Sequence, residues 1–162
     1  TKLLALLQED QLDFAVVEGF FDKTQYDSIL LRREPFVGIC RKDHPFCGKE
    51  VNLEELLHET IIHREAGSGT RAILEKELSA YNESLQRFQR RINISSFKLI
   101  LDMVKRGHGI SFVYKILADS DPELGQFTLQ NTNIIREFNI VYLKYADMHE
   151  NITYFFSQEV FP

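Results

Sequence analysis

The stretch Ile61-Ile62-His63-Arg64-Glu65-Ala66-Gly67-Ser68-Gly69-Thr70-Arg71 constrains this chain more than any other. Thr60 to Ile62 reads as a short buried strand. A polar, glycine-punctuated turn follows. Behind it Leu74, Leu78 and Tyr81 recur at i, i+4 and i+7, the spacing of an amphipathic helix. The order is therefore strand, glycine turn, helix. Gly67 and Gly69 can take backbone angles closed to other residues and let a ligand approach the main chain. Ser68 or Thr70 can cap the helix. The first N–H groups of a helix have no partner within it and carry partial positive charge. Such a turn is a seat for a carboxylate, sulfate or phosphate.

Two other phosphate loops are excluded. No Gly-Lys-Ser/Thr follows the turn, and its glycine spacing is not that of a dinucleotide fingerprint. A bare Gly-Ser-Gly-Thr is also an ordinary loop and helix cap, so the rest of the chain has to carry the functional reading. Its 162 residues suffice for one domain or two small lobes. The net charge of −5 makes the segment a poor match for the DNA backbone, which calls for a basic surface.

In chain order, Leu3, Leu4 and Leu7 mark a helical face that ends at Glu9-Asp10-Gln11. Leu12 to Val17 is a nearly unrelieved apolar strand, the pattern of a parallel strand covered on both faces. Glu18 and Gly19 close it, where ligands gather in open α/β sheets. Glu18 is equally readable as a solvated loop acid. Ser28 to Arg33 and Phe36 to Cys40 read as two strands with Glu34-Pro35 between them. Asp43-His44-Pro45 is a turn, and Asn52 with Glu55 a capping-box pair.

Arg87, Arg90 and Arg91 form the densest basic patch, readable as a phosphate contact or, on balance, as a solvated helix end. Ile92 to Ile94 is a strand, and Ser95-Ser96 caps a helix with Phe97, Ile100, Leu101 and Val104 on one face. Gly107 stands where a helix C-terminal glycine belongs. A second strand, cap and helix thus repeats the first arrangement. Ile110 to Val113 and Phe138 to Leu143 are further strands, Asp119 to Gln126 a loop, and Phe127 to Leu129 a short strand. The closing helix presents Ile152, Phe155, Phe156 and Val160.

No catalytic set converges. His44, His58, His63, His108 and His149 lack metal-ligand spacing. The sequence around Ser68 is not a nucleophile elbow. Cys40 and Cys47 form no disulfide framework and have no evident base, which suits a reducing compartment. No run approaches the roughly 18 apolar residues that span a membrane. The expectation is a non-enzyme with no metal, no cofactor and no membrane partner.

Five stretches, in order, resemble one family. They are Gln11 to Val16, Val37 to Pro45, Val51 to Leu56, Ile62 to Arg71, and Leu101 to Phe112. Together the chain resembles the effector-binding domain of LysR-type transcriptional regulators. The resemblance implies an α/β, two-lobed type 2 periplasmic-binding-protein-like fold: two small mixed sheets flanked by helices and joined by two crossing strands. Lobe I would comprise residues 1–35 and 139–162, and lobe II residues 36–138. The N-terminal winged helix-turn-helix and the first strand–helix unit of lobe I are not in this sequence.

The same resemblance implies an effector cleft. Its residues here would be Glu18, Gly19, Arg64, Gly67, Ser68, Gly69, Thr70, Ser95, Ser96 and Phe97, holding a small anionic metabolite. Arg64 would compensate charge unless Glu65 or the partners of Arg71 occupy it. A cytoplasmic homodimer or tetramer is expected, reaching DNA only through the absent N-terminal domain. Three rival readings are a transporter-associated solute-binding protein of the same fold, an enzyme built on it, and a pure dimerisation module.

Overall fold

The computed structural model describes residues 2–146 and 148–157. The chain divides into two compact units, residues 1–34 with 135–162, and residues 35–134. Val160 of the expected closing helix lies outside the described residues, and the side chain of Phe155 is likewise not described.

The first unit contains helix α1 (Lys2–Gln8), strand β1 (Ala15–Glu18), the opening part of strand β2 (Tyr26–Arg41), strand β8 (Ile135–Leu143) and helix α6 (His149–Ser157). β1 runs antiparallel to β8, with Ala15 opposite Val141 and Glu18 opposite Phe138. The expected parallel, doubly covered strand at Leu12 to Val17 is thus corrected. In β1 only Ala15 and Val17 are buried, while Val16 is 41% exposed. An apolar run alone does not distinguish a parallel from an antiparallel neighbour. The doubly covered strand is β8. Val141 and Leu143 pack with Leu7, Val17 and Tyr26, whereas Ile140 and Tyr142 pack with Ile152 on its other side.

The second unit holds the remainder of β2, strand β3 (Glu50–Val51), helix α2 (Leu53–Leu57), strand β4 (Thr60–His63), helix α3 (Gly69–Ala80), strand β5 (Arg90–Asn93), helix α4 (Phe97–Lys105), strand β6 (Ser111–Tyr114), helix α5 (Lys115–Asp119) and strand β7 (Leu124–Leu129). β2 pairs antiparallel with β6 through Phe36–Ile39 and with β7 through Gly38–Arg41. β3 adds in parallel to β7, and β4 pairs in parallel with β5.

β2 corrects a second expectation. Ser28 to Arg33 and Phe36 to Cys40 are one continuous strand, not two. Pro35 lacks an N–H and is tolerated in a strand only where no ladder bond is needed from it; the next residue resumes bonding, Phe36 N–H donating to the Ile134 carbonyl at 2.9 Å. The expected loop from Asp119 is also shorter than read. Helix α5 ends in it and β7 starts at Leu124. Five residues are too few to show a helical period, although Lys115 and Asp119 form an i, i+4 ion pair.

Local chemistry sets several helix ends. Asn52 and Glu55 form the reciprocal capping box of α2. At the end of α4, Gly107 N–H donates to the Val104 carbonyl and His108 N–H to the Met103 carbonyl, a Schellman closure. The closure needs the left-handed φ of +76° that Gly107 supplies.

Packing centres on β4. Ile61 and Ile62 are both fully buried, on opposite faces. Ile61 joins Leu74, Leu78, Phe88 and Phe127, and Ile62 joins Ile100, Val104 and Val113. Alternation along one strand therefore assigns α3 and α4 to opposite sides. Gly38 makes room for the core aromatic cluster: a Cβ there would lie 2.3 Å from the ring of buried Phe127. Gly38→Ala should lower unfolding free energy by about 1–3 kcal/mol through overpacking. Urea denaturation measures this, and an unchanged midpoint would refute the close approach.

Candidate functional site

The parallel register of β4 and β5 sets His63 beside Asn93, and Ile94 N–H donates to the His63 carbonyl at 3.0 Å. The two strands therefore finish at the same level. Each leads through a short turn into a helix, so the starts of α3 and α4 rise from the same end of the pair. Five of the anticipated residues are the cap and first turn of α3 or lead into it, and three surround the start of α4.

Ser68 is the N-cap of α3, in extended conformation, its Oγ accepting from Arg71 N–H at 3.3 Å. Ser96 caps α4 in the same way, accepting from Leu99 N–H at 3.4 Å. Both bonds go to the third helical residue. They leave the N–H groups of Gly69 and Thr70, and of Phe97 and Lys98, without intrahelical acceptors. Ser95 does not cap and is exposed. Gly67 does adopt a left-handed φ of +88°, with open space where a Cβ would stand. Gly69 is different. It is the first residue of α3 and has no positive φ, so its value lies in lacking a side chain there.

Thr70 also departs from expectation. It is inside the helix, not its cap, and is 7% exposed. Its Oγ1 is buried without a hydrogen-bond partner. A buried hydroxyl in that state forfeits roughly 1–3 kcal/mol relative to a satisfied one. Nothing local in the sequence separates Thr70 from Ser68, since either hydroxyl suits a cap.

Arg64 is tied up by Glu65. Its Nε and Nη2 donate to the two carboxylate oxygens of Glu65, each at 2.8 Å. The hydrogen bonds from Arg64 hold the Glu65 carboxyl at about 2, and Glu65 in turn raises the Arg64 guanidinium. The guanidinium carbon also sits 4.3 Å from the centre of the Phe97 ring, joining the two helix starts. His63 directs Nδ1 to the Arg64 carbonyl at 2.8 Å, and no hydrogen bond joins His63 to Ser68 among the described residues. Burial pushes the Cys40 thiol up to about 12, which keeps it protonated. No cluster of three metal-ligating side chains occurs among the described residues.

In the first unit, Glu18 and Gly19 end β1. Glu18 pairs with Arg136 of β8 at 2.7 Å. Sequence reasoning missed Arg136, because only the β1–β8 register brings a residue 118 positions away alongside. Gly19 takes a φ of +94° and opens the loop to Thr24. That loop, with Glu137 and Asn139, lines a hollow of about 360 Å³. Phe20 in it is 92% exposed.

The LysR substrate binding domain model matches residues 1–157. The chain belongs to that family. Among curated relatives, an uncharacterized HTH-type transcriptional regulator of Methanocaldococcus jannaschii is 30% identical over 74% of this chain and 40% of its own length. The HTH-type transcriptional regulator CysL of Bacillus subtilis is 25% identical over 91% and 45%. The chain therefore spans less than half of these relatives. Two solved structures share the fold. The Synechocystis CcmR regulatory domain, in complex with 2-PG, has a TM-score of 0.76 at 20% identity, covering 98% of this chain and 80% of that one. The BenM effector binding domain, with its effector benzoate, has a TM-score of 0.70 at 20% identity over 98% and 76%. The fold is thus the α/β, type 2 periplasmic-binding-protein-like one of LysR effector-binding domains. No described helix is long and apolar enough to cross a membrane.

The Arg64–Glu65 pair makes a testable statement about pH. Because Glu65 is held below its ordinary value of 4.5, its contribution to stability is complete above 4.5 and is lost as pH falls toward 2. Arg64→Ala should return the Glu65 carboxyl toward 4.5. A carbon-detected NMR titration would read this, and an unmoved Glu65 would refute the pairing.

Proposed function

We propose that this chain is the ligand-sensing domain of a LysR-type transcriptional regulator, and not a catalyst. Its two units are lobes I and II of that domain. The effector is a small carboxylate seated at the joined starts of α3 and α4, on the free N–H groups and on Ser68, Thr70 and Ser96. Gly67 and Gly69 leave it room, Ser95 and Phe97 border it, and Glu18 and Gly19 are the proposed contribution of lobe I. Binding biases the domain by the effector's differential affinity for its alternative states. The DNA-binding domain that answers lies in the longer protein, which works as a cytoplasmic homodimer or tetramer.

The observation that carries this reading is Thr70. A fold that leaves a buried hydroxyl unbonded in the first turn of α3, beside free helix N–H groups, has kept hydrogen-bonding capacity unspent at one place. Arg64 and Glu18 are each neutralised by a partner. The site therefore offers dipoles more than net charge, which suits a single carboxylate. Benzoate is such an effector for BenM, and QuiR is known in complex with shikimate.

A thermal-unfolding panel of small carboxylates tests the proposal. A ligand at 100 times its dissociation constant should stabilise the protein by about 2.7 kcal/mol. Thr70→Val should leave the unliganded protein as stable, or up to about 1 kcal/mol more so, because no bond is lost. It should weaken the ligand about tenfold. Ser68→Leu should abolish binding. A ligand indifferent to both substitutions would sink the assignment.

A further inference from the structure

We infer that the second unit carries a separate phosphate-binding site at the opposite end of the β4–β5 pair. Thr60, Gln89, Arg90, Arg91, Ile92 and His108 line a hollow of about 580 Å³ there. That volume is within the range of small-molecule sites. Thr60 and Arg90 open the two strands in register, whereas His63 and Asn93 end them at the helix starts. At about 3.3 Å per residue, the hollow lies roughly 10 Å along the strands from the helix starts.

Among the described residues Arg90, Arg91 and Arg106 are the arginines of this unit with no carboxylate partner, and the first two line this hollow. Arg41, Arg64, Arg71 and Arg87 each face a carboxylate within ion-pairing distance. Arg90 and Arg91 face none among the described residues, although the whole chain carries a net charge of −5. Glu59, which precedes Thr60 in the chain, is engaged with His44 at 3.4 Å. Both arginines line the hollow, and their forked donors match phosphate oxygens.

The third nitrogen group is placed by backbone geometry. His108 sits between Gly107 and Gly109, with φ of +76° and +156°. A Cβ on Gly109 would stand 2.3 Å from the Thr60 carbonyl oxygen, so only glycine lets this turn close onto β4. Ile110 N–H then donates to that same carbonyl at 2.9 Å. Arg91 is braced by its Nη1, which donates to the Gln86 carbonyl at 2.9 Å. The backbone that carries His108 and the Arg91 guanidinium are therefore held in place before any ligand arrives.

The ligand class is a small molecule bearing a phosphate group. The test titrates the protein with inorganic phosphate and with glycerol 1-phosphate, following the ring protons of His108 by NMR. A saturable shift is expected from both. Arg90→Ala, whose side chain makes no hydrogen bond in the fold among the described residues, should weaken binding at least about tenfold, the worth of one charge-assisted hydrogen bond. Arg91→Lys, which keeps the charge and loses the fork, should weaken it less than Arg91→Ala. Ser68→Leu should leave the shift intact. No saturable shift, a shift unmoved by the arginine substitutions, or a shift abolished by Ser68→Leu would each overturn the inference.

Discussion

Parallel pairing of β4 with β5 is the constraint on which the second unit depends. Parallel strands finish in the same direction, so whatever follows each of them must begin at one end. Here α3 follows one and α4 the other. Burial of Ile61 on one face and Ile62 on the other then fixes which side each helix takes. With both fully buried, truncating either to alanine would forfeit on the order of 2–5 kcal/mol, and would loosen both helix starts together. The convergence of two capped N-termini is thus a product of strand direction and core packing, not of the glycine turn alone.

The same pairing explains why the polar chemistry sorts into two kinds. Where the strands end, the available positive character belongs to backbone dipoles. Of the guanidinium groups there, Arg64 is bonded to Glu65 and stacked on Phe97, and Arg71 pairs with Glu75. Dipoles cost no desolvation of a full charge and hold their aim because the helices are fixed. Where the strands begin, backbone donors are used in the sheet and in the Ile110 bridge, and positive character is on side chains. A site of the first kind selects by shape and hydrogen-bond direction. One of the second kind is stronger toward multiply charged anions and more easily screened by salt.

What could be read from the sequence was whatever is set within a few residues. The Ser68 and Ser96 caps, the Asn52–Glu55 capping box, the Gly107 closure and the buried run at β4 all depend on neighbours in the chain, and all stand where the sequence puts them. What could not be read depends on partners far away. The antiparallel partner of β1 is supplied by β8, and so is the Arg136 that neutralises Glu18. The continuity of β2 across Pro35 is sustained by pairing on either side of a residue that taken alone signals a break. Thr70 and Ser68 look alike in sequence. Only the packing of α3 buries one hydroxyl without a partner and gives the other a backbone N–H.

The arginines make the same point in reverse. Arg87, Arg90 and Arg91 look equivalent as a basic cluster, and a solvated helix end is the ordinary reading of such a cluster. In the fold they part company. Arg87 pairs with Glu83 one turn away, while Arg90 and Arg91 enter β5, where period-two alternation and pairing with β4 set their place. A strand cannot offer an i, i+4 carboxylate to an arginine as a helix does. The i, i+4 partner that Arg87 has is therefore closed to Arg90 and Arg91. The turn that Gly107 and Gly109 permit brings His108 to the start of the neighbouring strand, where it shares a hollow with both arginines.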